Sequence, residues 1–212
     1  RVQDGARFVL HREPESDWLD WQPAANVGRE LLPSGTDSPR PRRARLLWQE
    51  GRVFTSDEAR DGWLLPIRQG VLAPADLLRA EDGAHDGSVA LEFAGQATTF
   101  SETTAVKLGG GLGVLTVDLP ATVAPWPRGK LRAPLAPEDC LVIAESGRTP
   151  LSLAAGRFTP SDGGWVVDAA QELDRAWHGA CIQARSDGAV LGLLLIEDDR
   201  ALVAPLTDDL LR

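Results

Sequence analysis

The sequence predicts an all-β fold: two six-stranded antiparallel β-barrels with short helical turns. Three observations predict it. Short apolar stretches of strand length recur from about residue 44 onward. Turn dipeptides such as Asp61-Gly62, Asp86-Gly87, Ala94-Gly95, Ser146-Gly147, Asp162-Gly163 and Asp187-Gly188 separate them. The stretches also fall into two sets of similar size, parted by a proline-rich segment. Composition permits such a core. Apolar residues make up 43% and charged residues 25% of 212 residues, an ordinary globular balance for a chain long enough to bury a core without staples.

Taken in order, residues 1–43 read as an N-terminal extension and Pro/Arg-rich linker. They hold a strand-like run at Arg7–His11 and a polar stretch with Trp18 and Trp21. The breakers Pro33, Gly35, Pro39 and Pro41 then prevent a regular element. Arg40, Arg42, Arg43 and Arg45 read as a solvated charge run, with a docking patch for an acidic partner as the alternative. The first barrel is expected over residues 44–122. Its strands are Ala44–Gln49, Arg52–Thr55, Gly62–Ile67, Val71–Ala73, Ser88–Phe93, Thr98–Phe100, Ala105–Leu108 and Leu112–Asp118, with one or two helical turns at Ala75–Ala80. Pro125, Pro127, Pro134 and Pro137 favour an extended connector. The second barrel is expected over residues 123–212. Its strands are Cys140–Glu145, Leu151–Phe158, Trp165–Asp168, Cys181–Ala184, Ala189–Ile196 and Ala201–Ala204. A turn of helix is expected near Gln171–Trp177, and a capped helix start after Thr207.

Charge narrows the partners. With 22 basic and 31 acidic residues the net charge is −9, which argues against nucleic acid and against anionic lipid. No apolar run reaches membrane-helix length. The lack of Met points to an excised piece of a longer protein, and no signal peptide is visible. Two cysteines, Cys140 and Cys181, are too few for a thiolate zinc site. They read either as buried thiols or as one disulfide. Of the seven Trp, Trp63 and Trp165 alternate with strand residues and read as core. Trp18, Trp21 and Trp126 are the candidates for a binding surface.

Three stretches, in order, carry a resemblance. The first is Gly70-Val71-Leu72-Ala73-Pro74-Ala75-Asp76-Leu77-Leu78. The second is Gly111 followed by Leu112-Gly113-Val114-Leu115-Thr116-Val117. The third is His178-Gly179-Ala180-Cys181-Ile182, followed by Asp187-Gly188-Ala189-Val190-Leu191-Gly192. Together they resemble trypsin-like serine proteases of the HtrA/Deg type, over roughly residues 44–212. The resemblance implies that Asp76 stands where the family has its general-base His. Gly111 stands where the family has the Asp that orients it, and His178 where it has the nucleophilic Ser. Asp76, Gly111 and His178 cannot perform nucleophile, base and orienting carboxylate. Ala180 in place of a second glycine puts the oxyanion turn in doubt. The resemblance also implies a location for a disulfide, since family members often bridge the strands on which Cys140 and Cys181 lie.

The expectation that follows is a pseudoprotease, not an enzyme. It would serve in protein–protein interaction or scaffolding and bind a protein or peptide, without cofactor or metal. Its setting would be bacterial and periplasmic or extracellular, as a soluble domain of a secreted or membrane-attached protein. Two alternatives stand beside it. One is an active serine hydrolase whose site lies elsewhere, around Ser146 and His85. The other is a metal- or ligand-binding module using Asp76 and His178 in the vestigial cleft. His85 reads as an exposed loop histidine, and His11 ends the strand-like run at Arg7–His11.

Overall fold

In a computed structural model of the chain, the described residues are 40–50, 53–54, 59–80, 84–93, 96–144, 149–168, 173–198, 200–208 and 210–211. Arg7–His11, Trp18, Trp21 and Ser146 lie outside them, as do the turns at Ala94-Gly95 and Ser146-Gly147.

The first unit is built from β1 (Arg42–Glu50), β2 (Val53–Phe54), β3 (Arg60–Ile67), β4 (Gly70–Pro74), β5 (Ala84–Phe93), β6 (Gln96–Lys107) and β7 (Leu112–Thr116). Its order is β2-β1-β3-β4-β7-β6-β5, and β1 also pairs with β5. That last pairing closes six strands into a barrel and leaves β2 on the outside of β1. Alternation along β1 explains the closure: Ala44, Leu46 and Trp48 point inward and are buried, whereas Arg43 and Arg45 are exposed. The arginine run is therefore partly a strand. Arg45 sits opposite Asp61 on one neighbour and Glu92 on the other, and Arg43 lies 5.9 Å over the Trp63 ring.

The second unit holds β8 (Cys140–Ile143), β9 (Leu151–Leu153), β10 (Phe158–Ser161), β11 (Gly164–Val167), β12 (Cys181–Ala184), β13 (Val190–Glu197) and β14 (Arg200–Pro205). They form a curled seven-stranded half-barrel in the order β10-β11-β14-β13-β12-β8-β9. The all-β double-barrel expectation is met, with a seventh strand in this unit. The extra strand arises because the expected stretch Leu151–Phe158 divides. A 3-10 turn at Ala155–Arg157 separates β9 from β10. Conversely, the two short strands expected at Thr98–Phe100 and Ala105–Leu108 are one long β6, and His85 lies on β5 opposite Ala105 rather than in a turn.

Each unit has its own core. Leu46, Leu64, Leu78, Leu91 and Leu115 fill the first, and Val142, Leu153, Ile182, Leu191 and Leu194 the second. A third cluster joins them: Leu65, Leu72 and Leu112 from the first unit meet Cys181, Val190, Leu193 and Leu195 from the second. The connector is docked rather than free. Leu131 bridges to Val190, and the Arg132 guanidinium binds Glu138 and Asp187 at 2.8 Å each. Trp126, expected at the surface, is 4% exposed because the connector folds its ring into this inter-unit cluster. Trp63 is buried as expected. Trp165 is half-buried, edge-on to Phe158 at 6.1 Å.

The cysteines are free thiols, which corrects the disulfide alternative. On the paired strands β8 and β12, Cys140 sits opposite Ala184 and Cys181 opposite Ile143. Three residues of offset separate their Cα atoms by about 10 Å, beyond the ~7 Å a disulfide spans. Their side chains also enter different cores. Among the described residues, no helix is long and apolar enough to cross a membrane.

Candidate functional site

Two elements bring the site together. Strand β4 ends at Pro74, which cannot continue a ladder as donor, and the chain turns over residues 75–79. The Ala75 amide donates to the Gly111 carbonyl (2.8 Å), placing Asp76 at the mouth of the cleft between the two units. The Asp76 carbonyl also accepts from Arg60. On the opposite wall, Asp174 caps a 3-10 turn at Arg175–Trp177 by accepting from the Ala176 amide (3.1 Å). His178 and Gly179 follow. Gly179 has φ +86°, and a Cβ there would stand 2.1 Å from the Trp63 carbonyl oxygen, so the position requires glycine. That approach fixes the wall: the Trp63 amide donates to the His178 carbonyl (2.9 Å), and the Trp63 indole donates to Ala176 (2.7 Å).

Asp76, Gly111 and His178 line one cavity of about 500 Å³, with Ala75, Lys107, Arg175 and residues 195–198. Gly111, at φ +80°, closes a 3-10 turn at Gly109–Gly111, and a Cβ there would meet Leu195 at 2.8 Å. The His178 ring is 2% exposed. Its Nδ1 accepts from the Ile196 amide (2.9 Å), so Nε2 carries the proton and donates to Asp76 Oδ1 (2.9 Å). Arg175 completes the group. Its Nη2 donates to Asp76 Oδ2 (2.9 Å) and its Nη1 to the Ile196 carbonyl (2.7 Å). Burial raises the Asp76 pKa, but the hydrogen bonds from His178 and Arg175, with the Arg175 charge, outweigh it and hold the carboxyl at about 2.

Sequence reasoning reached Asp76, Gly111 and His178 through their motifs. It missed Arg175, which lies in no motif. The available signal was the Asp174 cap, which predicts a tight turn projecting Arg175 and His178 from its end. The amides of that turn are used internally. His178 N–H donates to Arg175 (3.1 Å), and Ala176 N–H to the Asp174 carboxylate. Cys181 lies in the inter-unit core, away from the cleft, and the Ser146 of the alternative hydrolase site lies outside the described residues. Among the described residues, no three His, Cys, Asp or Glu side chains gather closely enough to hold a metal ion.

No protein-family model and no curated protein matches the chain. Solved structures do. A structure titled as the catalytically inactive tobacco etch virus protease with substrate shares 12% identity at a TM-score of 0.56, covering 84% of each chain. The catalytically active form of that protease, with product, aligns at 0.55 and 12%, covering 84% of this chain and 78% of that one. The tobacco vein mottling virus protease aligns at 0.52 and 12%, covering 81% and 80%. At this identity the likeness shows the fold alone. The expectation that the chain is not an enzyme is overturned by these neighbours. They are proteases, and an active and an inactive form of one of them align with this chain about equally well, so absence of activity does not follow from the backbone. The chain has the trypsin-like, chymotrypsin-type double-barrel fold.

Proposed function

We propose that this chain is a protein- or peptide-binding domain built on that fold. In this reading Asp76, Gly111 and His178 stand at the places of a former HtrA-type triad. The observation that carries it is the closed set Asp76–His178–Arg175. Asp76 of the first unit is bonded to both His178 and Arg175 of the second, and Arg175 also donates to the Ile196 carbonyl, so the two walls of the cleft are tied together. A second cavity of about 330 Å³ shares Gly111, Leu195 and Glu197 with the first and runs on past Gly163, Trp165 and Arg200. This gives an extended groove whose rim alternates in charge, suited to a peptide of mixed sequence. A setting in the bacterial periplasm or outside the cell accompanies the reading through the family resemblance.

The test is panning the full chain against a random displayed-peptide library. Selected peptides are expected to lose binding on Glu197→Lys and Arg200→Glu, both on the groove. Peptides indifferent to both changes would remove the groove from the reading. Labelling of the chain by a fluorophosphonate, abolished by a single Ser→Ala change, would replace it with a hydrolase.

A further inference from the structure

We propose that the chain carries a second binding site, for an amphipathic carboxylate of the fatty-acid type, at the other end of the unit interface. A cavity of about 500 Å³ opens there, within the range of small-molecule sites. It shares no lining residue with the Asp76 cleft. Strand β4 runs between the two: its Pro74 end leads into Asp76, and the turn before it, at Arg68 and Gln69, rims the second cavity.

Chemistry selects the ligand. Leu72, Val114, Leu131 and Leu206 make an apolar wall continuous with the inter-unit core, a surface suited to an alkyl chain. Arg68 is exposed at the cavity, Arg128 beside it donates to the Leu211 carbonyl, and none of the described lining residues is acidic. On a chain of net charge −9, that is a local cationic rim above an apolar hole. It matches an anionic head on a hydrocarbon tail. Trp126 adds its buried ring to the apolar lining. A basic or neutral lipid would fill the apolar wall but leave the cationic rim without a counter-charge. The proposal does not depend on what the Asp76 cleft binds.

The experiment is isothermal titration of the full chain with dodecanoate below its micellar concentration, alongside dodecyltrimethylammonium. One saturable dodecanoate site is expected, with none for the cationic analogue. Arg68→Glu, on an exposed turn that tolerates the change, is expected to weaken dodecanoate about tenfold, the scale of one charge-assisted bond. Leu131→Trp is expected to abolish binding by filling the cavity. The proposal is overturned by an absence of saturable dodecanoate binding or by equal binding of the cation. Affinity unchanged in Arg68→Glu would overturn it as well, and that variant still decides if Leu131→Trp fails to fold.

Discussion

Asp76 is the residue whose protonation matters most. Its folded pKa of about 2 lies below its ordinary 3.8, so folding favours the ionised form. That contribution is fully present above about pH 4 and is lost as pH falls through 2. The carboxylate is 37% exposed, so solvent screening reduces its worth to about 1 kcal/mol. Urea unfolding of the native chain and of Asp76→Asn between pH 2 and 6 should therefore show a gap at pH 5–6 that closes toward pH 2. A gap that persists at pH 2 would mean that the side chain acts by shape alone. His178→Ala is the more severe change. It leaves the buried Ile196 amide and the Asp76 carboxylate short of a partner, at a cost of about 2–3 kcal/mol in the same assay. At this scale the sequence is legible where a residue replaces a known one in a motif, as Asp76 and His178 do. Arg175 is not legible, because its role comes from meeting Asp76 across 99 residues, which no local pattern encodes.

Among the elements, the strands were the most legible part. Each strand expected over the described residues is present, because alternation and turn dipeptides are local signals. The departures are where local signals conflict with pairing. Thr103 and Thr104 are weakly apolar, yet β6 continues through them because β5 supplies partners on one side, and β7 pairs from Thr104 onward on the other. Ala155-Gly156 repeats the Ala-Gly pair read as a turn at Ala94-Gly95, but it sits inside an apolar run that reads as one strand; a 3-10 turn forms there and splits that strand in two. The cysteine register was also hidden, since the offset between β8 and β12 is set by the whole sheet. Native thiol titration should accordingly be slow at both sites. Burial and the charges of Glu138 and Asp139 push the Cys140 thiol up to about 12, and burial pushes Cys181 up as well. Denatured protein should yield two thiols with or without prior reduction; one disulfide's worth of loss in the unreduced sample would contradict the register. Gly179→Ala tests the contact between β3 and the cleft wall. With a positive φ and a Cβ 2.1 Å from a carbonyl, a loss above about 3 kcal/mol is expected from the melting temperature.

At the scale of the molecule, the two units are joined by a buried apolar seam rather than by a flexible tether. Leu193→Ala, at the centre of that seam and fully buried, should cost about 2–5 kcal/mol. Its unfolding should remain a single transition by tryptophan fluorescence and far-ultraviolet dichroism; two separated transitions would show units that stand alone. The seam has a further consequence at the point where β13 outruns β12. β12 begins at Cys181, opposite Leu193, so the Ile196 amide and carbonyl face a gap where a strand neighbour would otherwise sit. The imidazole of His178 and the guanidinium of Arg175 take that neighbour's place. Bare sheet margins invite copies of a chain to anneal into oligomers. The same two side chains that tie the cleft walls together thus leave no bare rung at Ile196 for another chain to pair with. A peptide lying in the groove must grip by its side chains at Ile196, since the sheet there has no rung left to lend.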